Sequence, residues 1–294
     1  MKAFVTGVNG QLGFDVVNEL KKRGHEVIGS DIVEKTEENY IKLDITDQEK
    51  VIATISEINP DVVVHCAAWT AVDNAEDEEN QDKVYAINVD GTMNIAETCK
   101  ELDCKMIYIS TDYVFDGQGT EPWQADCTDY APLSVYGKTK LEGEIAVSSI
   151  LEKYFIVRIA WVFGVNGNNF IKTMLNVGKK YDTLKVVNDQ IGTPTYTFDL
   201  AKLLVDMAET EKYGYYHATN EGGYISWYDF ACEIFKQANY TNTVNPVTTA
   251  EYGISKATRP FNSRLDKSKL TENGFELMPT WQDALSRYLK EIEF

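Results

Sequence analysis

Through its first 160 residues the chain alternates short apolar runs with longer amphipathic stretches. That is the pattern of parallel strands joined by helices that cover both faces of a sheet. The apolar runs predict strands over residues 2–6, 26–30, 40–43, 61–66, 105–110 and 154–159. Val62, Val63 and Val64 follow one another without polar alternation, as expected of a strand buried on both sides. Helical spacing falls between the runs, over residues 11–23, 48–58, 81–102 and 134–153.

Beyond residue 160 the alternation loosens. A Gly/Asn-rich turn at 164–169 leads into an apolar-periodic stretch over 170–180. Residues 184–195 read as extended, 198–209 as helical, and 281–292 as a final amphipathic helix. The expected organisation is a dinucleotide-binding unit over 1–163, with segments around 184–213 returning to it. A smaller lid over 164–183 and 214–294 would face the substrate. The acidic run Glu76-Asp77-Glu78-Glu79 reads as a solvated loop or helix start.

Composition narrows the function classes. The formal charge of −18, from 28 basic and 46 acidic side chains, offers no basic excess for phosphate backbones, so no nucleic-acid partner is expected. Five cysteines (Cys66, Cys99, Cys104, Cys127 and Cys232) show no C-x-x-C spacing, and His25, His65 and His217 are scattered. No zinc pattern emerges, and free thiols fit a reducing compartment. No apolar run is long enough for a membrane span. The start runs straight into a strand, which predicts no signal peptide and a cytoplasmic protein.

The first candidate chemistry is Gly7-x-x-Gly10-x-x-Gly13, placed after the first strand and opening the first helix, with Gln11 and Leu12 inside it. Such a turn lets the backbone approach a pyrophosphate closely, and the helix start supplies N–H groups to the anion. Asp31 ends the second strand. A carboxylate there accepts both adenine-ribose hydroxyls and repels a 2′-phosphate, which favours NADH over NADPH; Lys35 nearby works against that preference. Asp44 and Ile45 follow the third strand, in place to flank the adenine. Ala67, Ala68, Trp69 and Thr70 follow the fourth, in place to cover the middle of the cofactor. The fold class is therefore α/β, a Rossmann-like doubly wound parallel sheet with a smaller interleaved C-terminal substrate domain.

The second candidate chemistry is Tyr136-Gly-Lys-Thr-Lys140, a phenol and an ammonium one helical turn apart. A neighbouring cation draws a phenol's pKa down from near 10. Tyr136 is the expected general acid, with Lys140 lowering its pKa and holding the nicotinamide ribose. Ser110-Thr111-Asp112-Tyr113 ends the fifth strand, so Thr111, or alternatively Ser110, can hydrogen-bond a substrate carbonyl and the oxyanion that develops from it.

These segments make the chain resemble the extended short-chain dehydrogenase/reductase superfamily. Within it, the resemblance is to the dTDP-4-dehydrorhamnose reductase family, carried further by Ala67-Ala-Trp-Thr-Ala-Val-Asp73, Ser110-Thr-Asp-Tyr-Val-Phe-Asp-Gly117, Arg158-Ile-Ala-Trp-Val-Phe163, Gly167-Asn-Asn-Phe170, Asn188-Asp-Gln-Ile-Gly-Thr-Pro-Thr195 and Arg259-Pro-Phe-Asn-Ser-Arg-Leu-Asp266. The resemblance implies reduction of the 4-keto group of a nucleotide-sugar, dTDP-4-dehydro-β-L-rhamnose, by NADH or NADPH. It implies that Thr111 and Asp112 contact the sugar, that Trp161 packs against its ring, and that Thr70 and Val72 line the pocket. Lys172 and Arg259 are cations suited to the diphosphate.

Two positions depart from the family pattern. Trp69 stands where a smaller or more polar aromatic residue is common. Asp15 stands where some members place a glutamate that binds Mg²⁺ between subunits; the shorter side chain makes Mg²⁺ and a metal-linked dimer doubtful, leaving monomer or homodimer. Other readings exist within the same superfamily. A dehydratase needs a second acid after Asp112, where this chain has Tyr113. The Tyr-Lys pair is compatible with an epimerase or another sugar-nucleotide reductase. A non-catalytic regulatory subunit of the methionine adenosyltransferase type would share the fold and the nucleotide site.

Overall fold

In the computed structural model, which describes residues 1–253 and 255–294, seven parallel strands form one sheet. These are β1 (Lys2–Thr6), β2 (Glu26–Asp31), β3 (Tyr40–Lys42), β4 (Val62–His65), β5 (Lys105–Thr111), β6 (Tyr154–Ile159) and a last strand, Gly214–His217. Their spatial order is Gly214–His217, β6, β5, β4, β1, β2, β3. The chain thus walks outward from β1 to β3, then crosses back to β4 and walks the other way. Connections leave β1 and β4 in opposite directions, which opens a crevice at the carboxyl ends of these strands.

The principal helices are α1 (Gln11–Lys22), α2 (Gln48–Ile58), α3 (Glu78–Tyr85), α4 (Gly91–Glu101), α5 (Val135–Ile150), α6 (Phe170–Gly178), α7 (Thr197–Ala208) and α8 (Trp227–Gln237). Successive strand residues point to opposite faces, and the core divides accordingly. On one face Ala3 and Val5 pack with Leu12, Val16 and Leu20 of α1 and with Leu200 and Leu204 of α7. On the other, Phe4 and Val63 pack with Val51 and Ile55 of α2, Ile95 of α4 and Val147 of α5. A third cluster joins Ile171 and Leu175 of α6, Phe230 and Ile234 of α8, and Trp281, Leu285 and Tyr288 of the C-terminal helix Trp281–Glu291.

The helix expected over 81–102 is interrupted. α3 and α4 are separated by a π-helical turn, Ala86–Asp90, a feature that widens a helix locally and often lies near functional sites. Two contacts account for it. Asn88 turns inward to accept the Trp69 N–H at 2.8 Å and to donate to the Thr139 hydroxyl at 3.0 Å. Gly91 packs so tightly on Ile45 that a Cβ there would stand 2.7 Å from it.

Strand pairing also departs from the expected division at two points. Thr183–Val187, within the segment expected to return to the sheet, pairs with Thr243–Val247 in a separate two-stranded ribbon. Gly214–His217, expected in the lid, joins β6 instead. Thr183 and Lys185 are exposed, incompatible with a strand covered on both faces, whereas Tyr216 and His217 are buried. Among the described residues, no helix is long and apolar enough to cross a membrane.

Candidate active site

β1 ends at Thr6, and the chain turns through Gly7 at φ +70°. A Cβ on Gly7 would stand 2.6 Å from the Ala67 nitrogen, and one on Gly13 would run into the Gly7 carbonyl. The turn closes only because both side chains are absent. Gly10 gives α1 no side-chain cap, so the helix start presents its N–H groups without a built-in acceptor. This is a cradle that fits the pyrophosphate of a dinucleotide. Asp31, at the end of the neighbouring strand, accepts the Asn9 N–H at 3.0 Å and the Ile32 N–H at 2.8 Å.

A cleft of about 480 Å³ runs along the carboxyl edge of the sheet. Gly7, Gly10, Gln11, Leu12, Gly13, Asp31, Asp44, Ile45, Ala67, Ala68 and Thr70 line it, and so do Val72, Thr111, Asp112, Tyr136, Lys140 and Trp161. Gly7 and Trp161, 154 positions apart in sequence, thus meet in one cavity.

Three expected residues lie elsewhere. Trp69 does not line the cleft; its indole N–H donates to the Ala71 carbonyl of its own loop at 3.1 Å. Lys172 spends its ammonium on the Val165 and Gly167 carbonyls at 2.6 and 2.7 Å, bracing the 164–169 loop. Arg259 is at the Tyr113 hydroxyl, 3.1 Å, and pairs with Asp73 at 2.7 Å. Lys172 and Arg259 therefore do not converge on one diphosphate.

Ser134, two residues before Tyr136, caps α5 by accepting the Gly137 N–H at 3.1 Å. Lys140 is buried, with its ammonium 4.0 Å from the centre of the Tyr108 ring. Loss of hydration brings its pKa down to about 7, against an opposing pull from Glu144. The Tyr136 phenol moves opposite to the expected direction: burial pushes it above its ordinary value, and the Thr111 hydroxyl only partly offsets this. Withdrawing a phenolate from water outweighs the neighbours that favour it. Tyr136, protonated at neutral pH as any ordinary phenol is, is moved further from its ionised form.

The Thr111 hydroxyl donates to Asp112 Oδ1 at 3.0 Å and accepts the Tyr113 N–H at 3.3 Å. Among the described residues, the Ser110 hydroxyl and Asp112 Oδ2 are buried without a hydrogen-bond partner, two polar atoms in the cleft wall. Burial pushes the Asp112 carboxyl up to about 6. Trp161 has a left-handed backbone, φ +52°, and its indole stacks on Trp227 with centroids 3.7 Å apart. One face of the ring is thus already covered by α8.

The expected set omitted several lining residues: Cys66, Ile87, Ile109, Ile159, Ala160 and Val162 among them. Cys66, Ile109 and Ile159 already fall within the expected strands and Ala160 lies one residue past the last, so counting the final residues of each strand as lining would have found these four. Tyr113 is the omission with most chemistry. It stands edge-on to Tyr136, with centroids 5.6 Å apart, and joins that ring to Arg259. Asp15 is buried and accepts the Thr197 hydroxyl; desolvation raises its carboxyl to about 6.

The chain is similar to known proteins over its whole length. The family described as RmlD substrate binding domain matches residues 1–294. A dTDP-4-dehydrorhamnose reductase of Aggregatibacter actinomycetemcomitans is 41% identical, over 97% of each chain. The crystal structure of a dTDP-4-dehydrorhamnose reductase from Clostridium acetobutylicum superposes with a TM-score of 0.92 at 43% identity, covering 99% of both chains. That of the Bacillus anthracis enzyme, in complex with NADP, superposes with a TM-score of 0.91 at 40% identity and the same coverage.

Proposed function

We propose a mechanism on one premise: this chain belongs to the RmlD family of dTDP-4-dehydrorhamnose reductases. It is a nicotinamide-dependent oxidoreductase that reduces the 4-keto group of dTDP-4-dehydro-β-L-rhamnose, giving dTDP-β-L-rhamnose. The observation that carries the assignment of roles is the meeting of Tyr136, Lys140 and Thr111 with the glycine turn in one cleft.

The bound nicotinamide supplies the hydride. Thr111, with Ser110 beside it, hydrogen-bonds the keto oxygen and the alkoxide that forms from it. Tyr136 gives that oxygen its proton. A phenol is protonated at neutral pH, so the donor is ready when hydride is transferred. Lys140 stabilises the phenolate left behind and holds the nicotinamide ribose. Asp112, with a free carboxylate oxygen, orients a sugar hydroxyl, and Trp161, Thr70 and Val72 shape the pocket around the ring. Arg259 reaches the cleft wall only through the Tyr113 hydroxyl, with its charge paired to Asp73. α6, α8 and Trp281–Glu291 form the unit that covers the sugar.

Asp31 supports a preference for NADH, since its carboxylate lines the cleft beside the glycine turn and disfavours a 2′-phosphate. Lys35, which favours the phosphate, is paired with Glu37 at 3.3 Å. The test follows NADH and NADPH absorbance with substrate generated in situ by the upstream enzymes. Oxidation that yields dTDP-rhamnose sustains the reading. Tight coenzyme binding without consumption would leave a nucleotide-binding protein of another role.

A further inference from the structure

Tyr136, Lys140 and Glu144 follow one another at four-residue intervals along α5, on one face of the helix. The first two line the cleft. Glu144 lies one turn further along and is completely buried. Its carboxylate accepts two bonds from Arg158 of β6, from Nε at 2.8 Å and from Nη2 at 2.7 Å, and Arg158 is completely buried as well. The guanidinium also donates to the Ala125 carbonyl at 3.1 Å and to the Tyr130 hydroxyl at 2.9 Å. A buried ion pair of this kind is a weak source of stability, because apolar residues of equal volume often serve as well. Its use has to be sought in what it does to its neighbours.

We propose that Glu144, held in place by Arg158, is a positioning residue for the reduction: its carboxylate keeps the Lys140 ammonium charged beside Tyr136. This rests on the assignment of Tyr136 and Lys140 as proton donor and cationic partner. The groups that face Lys140 from the other elements leave no substitute. After β4, the Cys66 thiol is pushed up to about 12 by burial and is neutral. His65 in β4 is brought down to about 3 and is neutral. Tyr108 in β5 offers a neutral ring face, and its hydroxyl donates to the Lys140 carbonyl at 3.2 Å. Glu144 is therefore the carboxylate that opposes the desolvation of Lys140. Gly143 fixes the helix against β5, since a Cβ there would run into the Tyr108 hydroxyl.

The test is the pH profile of kcat/KM for wild type, Glu144→Gln, Glu144→Asp and the double variant Glu144→Gln/Arg158→Met. The double variant removes both buried charges together, so no lone guanidinium is left to unfold the chain. In wild type the rate falls as pH rises through the Lys140 pKa. Without the carboxylate that limb moves to lower pH by about one unit, a tenfold loss of charged Lys140 at a given pH on that limb. The shift is expected in full in Glu144→Gln, smaller but in the same direction in the double variant, where the opposing Arg158 charge is removed too, and reversed in Glu144→Asp. A limb that stays in place while the rate drops uniformly would mean that Glu144 serves the fold alone, and would overturn the proposal. Tyr136→Phe separates the two readings. Turnover surviving in that variant removes the underlying assignment, whereas a dead Tyr136→Phe with an unmoved Glu144→Gln limb removes only this inference.

Discussion

Asp31 accepts the backbone N–H of Asn9 at 3.0 Å, so the acid at the end of β2 is bonded to the glycine turn that begins at Gly7. The residue proposed to read the ribose is thereby fixed to the loop proposed to cradle the phosphates. Asp31→Ala is expected to shift the ratio of kcat/KM values for NADH and NADPH towards NADPH by roughly tenfold, as loss of a charge-assisted hydrogen bond implies. Affinity for both coenzymes should also weaken slightly, because the turn loses a brace. A ratio equal to wild type would show that Asp31 holds the turn and does not select the coenzyme.

Tyr136→Phe keeps the aromatic ring against Tyr113 and removes only the hydroxyl. Coenzyme binding should survive and turnover should fall by about 10²–10⁴-fold, the usual contribution of general acid catalysis. Fluorescence titration of NADH beside a rate measurement separates the two effects. Near-normal turnover would assign proton delivery to another group.

Asp112 offers a linkage prediction. Its folded pKa lies near 6, raised from 3.8 by burial. For a raised carboxyl the folded state binds the proton more tightly than the unfolded chain. Its stabilising contribution is present below the unfolded value and is lost as pH rises through 6. Asp112→Asn mimics the neutral form, so it should stabilise the protein at about pH 8 by on the order of 1–3 kcal/mol and have little effect near pH 4. kcat/KM for the sugar should fall at the same time, since the free carboxylate oxygen is lost. Thermal melts at the two pH values check the sign; a gain in Tm at low pH only would contradict it.

Asp15 spends its carboxylate inside the chain, on the Thr197 hydroxyl between α1 and α7. EDTA is therefore expected to leave NADH oxidation unchanged, and added Mg²⁺ to leave it unchanged too. A rate that collapses with EDTA and returns with Mg²⁺ would place a metal in the working enzyme.

The parts of the site that could be read from the chain are those encoded over short distances. Gly7, Gly10 and Gly13 declare a turn between strand and helix. Tyr136 and Lys140 declare a shared helix face. Strand ends locate Asp31, Asp44, Ala67 and Thr111, because a doubly wound sheet sends all its carboxyl ends to one edge. What could not be read depends on partners far away in sequence. Arg259 meets Asp73 across 186 positions, and Lys172 turns back to its own loop. The interruption between α3 and α4 follows from Asn88 reaching Trp69 and from Gly91 meeting Ile45. The direction in which Tyr136 titrates depends on how deeply the phenol is buried. Periodicity predicts neither. The pairing of Thr183–Val187 with Thr243–Val247 was equally hidden, because an isolated apolar run does not say which sheet it joins.

The cleft takes its walls from residues spread between Thr6 and Val162, so it exists only once β1, β4, β5 and α5 have come together. A coenzyme that binds there is a ligand of the folded state alone, and occupancy is converted directly into resistance to heat. At a hundred times its dissociation constant it adds about 2.7 kcal/mol. The melting temperature titrated against NADH and against NADPH therefore ranks the two coenzymes without any substrate in the cuvette.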